Sequence, residues 1–248
     1  MNLRTKESII SAGKILEEGF NTTQSYTVKE RYHLQSEYDL LADKALKKYI
    51  KSEFPTYSIY SEETEEIINN RNKRWIIDPI DGTSYFIFGE PFFTISMARE
   101  INGEIVEAHV YNPITKEYYY SDKEIGKSYL NDIELSVSKT KDLEDSLLAF
   151  GFSANPKIIL PYLDNFKYEM ENCKKALPWI APAISICNVA RGRIEAFIDY
   201  GCSYEGQAAA SLILKNAGGN MINIDYNKYD HTQKGGFFTN GNINLRKK

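Results

Sequence analysis

Two carboxylates three residues apart, Asp78 and Asp81, close the stretch Trp75-Ile76-Ile77-Asp78-Pro79-Ile80-Asp81-Gly82-Thr83. The apolar run Trp75 to Ile77 has the composition of a buried strand. Asp78 ends that run, and Pro79, which lacks an N–H and has a fixed φ, is expected to stop the pairing there. Asp81 follows one turn later, and Gly82 lets the backbone approach another group closely. Thr83 and Ser84 suit a helix start, where free backbone N–H groups can face an anion. Two acidic oxygen ligands, a hydroxyl and an anion cradle so close together suit a hard divalent cation holding a phosphate ester. Asp-Pro and Asp-Gly are also common turn pairs, and Asp-Pro alone reads more readily as a solvated turn.

The elements that must position this stretch are legible on both sides of it. Thr5 to Phe20 has helical spacing, with Ile9, Ile10, Ala12, Ile15 and Leu16 on one face, and a second helix is expected from Glu37 to about Phe54. Tyr57 to Tyr60 reads as a short strand closed by Ser61-Glu62-Glu63. Glu62 and Glu63 open an acidic run that by itself is a solvated face. Glu62 nonetheless ends one strand where Asp78 ends the next. Alternating segments at Phe92–Arg99 and Glu104–Tyr111 flank an Asn102-Gly103 hairpin turn, and Glu117–Ser121 and Glu134–Val137 continue the strands. Beyond a boundary near Ser138, a strand is expected at Ser146–Gly151 and helices at Tyr162–Cys173 and Ala183–Ala190. Arg193–Tyr200 repeats the grammar of a strand ending in a carboxylate, Asp199. An Ala-rich helix from Gln207 to Asn216 ends at Ala217-Gly218-Gly219, and strands Met221–Ile224 and Gly236–Asn240 follow.

Composition excludes several classes of function. Lys and Arg (30) and Asp and Glu (34) are mixed along 248 residues for a net charge of −4, which argues against nucleic acid as the main partner. The N-terminus lacks the apolar core of a signal peptide, and no stretch is long enough to span a bilayer. Cys173, Cys187 and Cys202 have neither metal nor redox spacing, so a soluble protein of the reducing cytoplasm is expected. His33, His109 and His231 lie far apart without ligand spacing. Ser61 and Ser84 lack a nucleophile elbow, and Lys127 lacks a Walker sequence. Asp78 and Asp81 share one tight turn, whereas a glycosidase needs its acids on opposite sides of a sugar bond.

The complete string Asp78-Pro79-Ile80-Asp81-Gly82-Thr83 behind an apolar strand resembles the signature of the inositol monophosphatase family, magnesium-dependent and lithium-sensitive phosphomonoesterases. Ala12 to Phe20, Ser61-Glu62-Glu63 and Ile125 to Ser138 resemble the family as well, so the likeness covers nearly the whole chain. It implies an α/β fold (an α+β sandwich) of layered αβαβα type. Residues 1–138 would form an α+β half carrying most metal ligands, and 139–248 an α/β half closing the substrate site. The implied cofactor is Mg2+, two or three ions, with paired ions about 4 Å apart. Asp78 would bridge two ions, Glu62 and the Ile80 carbonyl would complete the first site, and Asp81 would hold the second. Glu62, Thr83 and Asp43 would be the catalytic residues, with Thr83 hydrogen-bonded to Asp43 so as to orient the attacking water. The N–H groups of Gly82 and Thr83 would bind phosphate. The family motif Asp-Leu-Val-Thr-x-x-Asp is matched at its last aspartate by Asp43, with Glu37 at its first.

The C-terminal motif departs from the pattern. The family has Trp-Asp-x-Ala before the Ala-rich helix, its Asp being a ligand of the second metal. A gapless count back from Ala217-Gly218-Gly219 puts Gly206 at that Asp, whereas one inserted residue aligns Tyr204-Glu205 with Trp-Asp. Glu205 is thus expected to replace the ligand or to serve the helix dipole. By the same gapless count Asp199 stands where many members of the family have a substrate-contacting Glu, and Ile180-Ala181 stands in place of the family's Gly-Ser. The expected activity is Mg2+-dependent hydrolysis of a small phosphate monoester, whether an inositol phosphate, a sugar phosphate or 3'-phosphoadenosine 5'-phosphate. The substrate would be a small phosphorylated molecule, with no nucleic acid and no membrane as partner, and the resemblance implies a homodimer. The rival is an impaired relative that binds a phosphorylated ligand or a protein partner.

Overall fold

The computed structural model describes residues 3–20, 22, 25–30, 33–151 and 166–245. Helix α1 (Leu3–Phe20) is followed by a hairpin of β1 (Tyr26–Glu30) and β2 (His33–Ser36), then by α2 (Glu37–Glu53). Strands β3 (Ser58–Ser61), β4 (Lys73–Asp81), β5 (Thr94–Ile101), β6 (Glu104–Asn112), β7 (Glu117–Asp122), β8 (Lys127–Leu130) and β9 (Ile133–Glu134) form a seven-stranded sheet in that order. The short α3 (Thr83–Phe88) sits between β4 and β5. Only the β3–β4 pair is parallel; the other neighbours run antiparallel. The β5–β6 turn has positive φ at both Asn102 (52°) and Gly103 (77°), the backbone that an Asn-Gly hairpin requires.

The second sheet has five strands and mixed direction. In chain order, β10 (Leu147–Gly151), helical residues 166–172 (α4), β11 (Lys175–Pro178), α5 (Pro182–Ala190), β12 (Ala196–Asp199), α6 (Tyr204–Asn216), β13 (Asn220–Ile222) and β14 (Gly236–Thr239) build it, in spatial order β11-β10-β12-β14-β13.

Three apolar cores stack these elements into the expected αβαβα layers. Ile9, Leu16, Leu46 and Ile50 of α1 and α2 bury Trp75, Ile77 and Met97 on the outer face of the large sheet. Its inner face, through Ile76, Ala98 and Val110, meets α5 and α6, which also cover Phe197 and Phe238 of the second sheet. Phe166 of α4 packs on Leu148, Phe150 and Ile198 from the far side. No described helix is long and apolar enough to cross a membrane.

Two boundaries differ from the sequence reading in ways that matter for the site. Pro79 does not stop β4, which runs on to Asp81. Asp78 faces Ser96 and Asp81 faces Thr94, so an extra residue bulges between them, and Pro79 lies where no ladder donor is needed. Helix α6 begins at Tyr204 rather than Gln207, because the Ser203 hydroxyl caps it by accepting from the Gly206 N–H at 3.2 Å. Glu205 and Gly206 are therefore first-turn helical residues. The start expected for the helix at Tyr162 lies outside the described residues.

Candidate active site

Parallel pairing of β3 with β4 places Ser61 opposite Ile77, so Glu62 leaves its strand level with Asp78. The Glu62 N–H still reaches the Ile77 carbonyl at 3.4 Å. Asp78 and Asp81 are each only 2% exposed. Burial pushes the Asp78 carboxyl well above the usual carboxylate range, and the negative charges of Glu62, Asp81 and Glu205 push it further, with Asp78 hydrogen-bonded to Glu62. Burial and Glu62 raise Asp81 as well, opposed by N–H donation from Ala183 and Ile184 at the start of α5. The Ala183 N–H meets Asp81 Oδ2 at 2.9 Å.

Glu62, Asp78 and Asp81, with Ile80, Gly82 and Thr83, line a cleft of about 140 Å³ whose other wall includes Pro182 and Ser203, while Glu205 is not among its lining residues. All the donors in it that could hold a cation are hard oxygens: carboxylates and the Ile80 carbonyl. Their mutual repulsion is the field that a divalent cation relieves, so the residues present fit Mg2+ by type. As the side chains stand, no group of three or more His, Cys, Asp or Glu among the described residues is arranged to hold a metal ion. Glu62 and Asp78 instead satisfy each other through the hydrogen bond between them.

Asp43 does not pair with Thr83. Its carboxylate lies one helical turn further along α2, where Ser61 Oγ (2.5 Å) and Thr64 Oγ1 (3.0 Å) donate to it and Lys47 Nζ lies at 3.3 Å. Thr83 Oγ1 lies 3.2 Å from Asp39 Oδ1 and 3.0 Å from the Ile80 carbonyl. Asp39 is fully buried, and its other oxygen accepts from the Ser36 N–H and hydroxyl, both at 2.7 Å. Burial raises Asp39 to about 6 against the pull of those Ser36 bonds. The sequence carried a usable signal, because Ser36-Glu37-Tyr38-Asp39 has the spacing of a capping box at a helix start. Aligning the family motif on Asp39 also puts Ser36 at its Thr.

Asp199 is not among the residues lining this cleft. Its Oδ1 accepts from the N–H groups of Gly201 (2.5 Å) and Cys202 (2.8 Å), which closes the turn after β12, and burial raises it to about 6. A Cβ on Gly206 would come within 3.2 Å of Asp81 Oδ1, so this position faces the acid cluster with no side chain to offer. Glu205, buried one residue earlier, is near enough to Asp78 to raise it and hydrogen-bonds with Tyr60. Tyr60 had no place in the sequence reading, since an isolated tyrosine on a short strand carries no signal.

Gly82 has φ of +93°, and a Cβ there would lie 2.9 Å from Ala181 Cβ and 3.1 Å from the Phe92 carbonyl. Gly82→Ala is expected to cost about 2–5 kcal/mol, from a left-handed backbone (~1–2) and overpacking (~1–3). Urea unfolding of the two proteins measures it.

The sequence profile of the inositol monophosphatase family matches residues 3–247. An inositol-1-monophosphatase from Rhizobium meliloti (strain 1021) is 32% identical over 220 residues, 86% of this chain and 81% of that protein. A protein named Nus factor SuhB from Xylella fastidiosa (strain Temecula1 / ATCC 700964) is 30% identical over 84% of this chain and 76% of its own. Among solved structures, the extragenic suppressor protein suhB from Bartonella henselae superposes with a TM-score of 0.89 at 27% identity, over 95% of this chain and 92% of that one. With the β4 acids, the layered fold and this match over almost every residue in agreement, the chain belongs to the inositol monophosphatase family.

Proposed function

We propose that this protein hydrolyses a small phosphate monoester with the help of Mg2+, in the cleft at the tip of β4. The family is in general one of metal-dependent phosphatases, the metal generally being Mg2+. The observation that carries the reading here is the burial of Asp78 and Asp81 beside Glu62, a concentration of acids that a cation in the cleft would offset. Glu62, Asp78, the Ile80 carbonyl and Asp81 would hold the metal, with Glu205 as a further ligand. Bound Mg2+ supplies neutralisation of the phosphoryl oxygens and support for the leaving oxygen.

The chain's own part is to place a water. A threonine hydroxyl has one hydrogen bond to donate, and Thr83 donates it to ionised Asp39. The remaining lone pairs of Thr83 Oγ1 then accept from a water in the cleft and aim it at the phosphorus. The ester phosphate rests beside Gly82 and Thr83. Release of inorganic phosphate from a panel of monoesters, with and without Mg2+, tests the reading. Turnover that needs Mg2+ and is lost in Asp81→Asn supports it, and no turnover of any ester overturns it.

With Asp39 raised to about 6, activity is expected to climb through about pH 6 as that carboxyl ionises. Asp39→Asn, which cannot ionise, should lower kcat by roughly 10²-fold and remove that limb of the pH profile. Stability runs the other way. The folded protein holds the Asp39 proton more tightly than the unfolded chain does, so this group costs stability as pH rises from about 4 to about 6.

A second reading keeps the fold and loses the turnover. Gly206 offers no carboxylate where it faces Asp81, and several relatives carry the name Nus factor SuhB rather than that of a phosphatase. Such a protein would bind a phosphorylated ligand or a protein partner. Tight binding of an ester without turnover would favour it.

A further inference from the structure

A second cleft of about 650 Å³ opens at the C-terminal end of α6 and shares no lining residue with the catalytic one. Its size falls in the range of small-molecule sites, roughly 300–1,000 Å³. Three lysines from separate parts of the chain border it: Lys123 after β7, Lys215 on α6 and Lys228 in the loop after β13. They face two acids, Glu104 and Asp230, so the lining keeps a net positive charge. Glu104 is paired with Lys123. Asp230 accepts from the Thr232 N–H at 2.9 Å and hydroxyl at 2.8 Å.

Lys215 and Lys228 are exposed and make no ion pair among the described residues. Both still act on the same point, since after Lys123 they help hold the Glu104 carboxyl below its usual range. Lys215 and Lys228 thus stand, outside any ion pair among the described residues, on a concave surface that carries three lysines against two carboxylates, of which Glu104 is paired with Lys123. The lining also carries apolar and aromatic area, from Ile105, Leu212 and Tyr229, on which an organic body can rest. A concave pocket in a chain of net charge −4 favours a compact polyanion over a nucleic acid, which needs an extended basic face.

We propose that this cleft binds a small phosphorylated molecule, its phosphate held between Lys215 and Lys228 and its organic part against Tyr229. The site stands independently of the phosphatase reading, because none of its residues belongs to the catalytic cleft.

Calorimetric titration of the full chain with glucose 6-phosphate in EDTA, where a metal-dependent hydrolase does not turn over, tests it. Saturable binding at millimolar concentration or below is expected, with inorganic phosphate competing and glucose alone not binding. Lys215→Gln/Lys228→Gln should weaken it at least tenfold, and added NaCl should weaken the parent's binding as for any exposed charge contact. Thr83→Val should leave it unchanged. Absence of saturable binding, binding that survives loss of both lysines, or binding lost in Thr83→Val would each overturn the proposal. Should the double variant fail to fold, Lys228→Gln alone is expected to weaken binding about threefold, and an unchanged affinity there counts against the site.

Discussion

Asp78→Asn is expected to reduce Mg2+-dependent phosphate release by at least about 10³-fold, a loss of more than about 4 kcal/mol of transition-state stabilisation. The same change should make the metal-free protein more stable. Asp78 is a buried carboxyl surrounded by the charges of Glu62, Asp81 and Glu205, with no cation among the described side chains at hand to offset them. An amide of the same shape removes one of those charges and can still hydrogen-bond to Glu62. A gain of about 1–2 kcal/mol would move Tm upward by roughly 2–8 °C in a chain of this size. Mg2+ should then separate the two proteins. At 100 times its Kd an ion that binds only the folded state adds about 2.7 kcal/mol, so the parent's Tm should rise by roughly 5–10 °C and the variant's by far less. Differential scanning fluorimetry with Mg2+ and with EDTA gives all four values. A variant that is less stable than the parent in EDTA would mean that Asp78 is held by structure rather than strained for a ligand.

The large outlines were legible because they rest on local chemistry. Periodicity located α1 and α2, alternation located the β5–β6 hairpin, and the carboxylates of β4 were conspicuous at the end of an apolar run. What escaped depends on contacts between distant elements. Nothing near Pro79 announces that β5 carries the pairing past it through a bulge; that follows from Thr94 and Ser96 lying opposite. Asp39 and Asp43 are a turn apart on one helix, and choosing between them requires knowing which is level with Thr83. The family motif can be laid over the stretch in two registers, and in space it is Asp39, bonded to Ser36, that lies level with the Thr83 hydroxyl. Asp199 looked like a site residue because the family resemblance puts it at a substrate-contacting Glu, and it ends a strand as Asp78 does. The two differ in their surroundings, since the turn after β12 supplies N–H donors that consume one oxygen of Asp199. The same strand-end carboxylate serves as a turn cap in one sheet and faces an acid cluster in the other.

The acid count of the cleft can be altered at one position where this chain offers only hydrogen. Gly206→Asp is expected to destabilise the metal-free protein, because a Cβ there lies 3.2 Å from Asp81 Oδ1 and the new carboxylate adds a like charge. With Mg2+ present the sign should reverse, the added oxygens lowering the Mg2+ concentration for half-maximal activity by roughly tenfold. Gly206→Asn carries the same bulk without the charge and should show only the destabilisation. Glu205→Gln is the complementary test. As a ligand, Glu205 repels Asp78 in the free protein, so the amide should leave the EDTA Tm level or raised while shifting the Mg2+ midpoint upward about tenfold or more. As a helix-dipole partner at the first turn of α6, its loss should instead cost about 0.3–1 kcal/mol in EDTA and leave the Mg2+ midpoint where it was. Tyr60→Phe discriminates further, because the Tyr60 hydroxyl bonded to Glu205 steadies that carboxylate. Its removal should move the Mg2+ midpoint in the direction of Glu205→Gln by a smaller factor if Glu205 holds metal, and not at all if the glutamate only caps its helix.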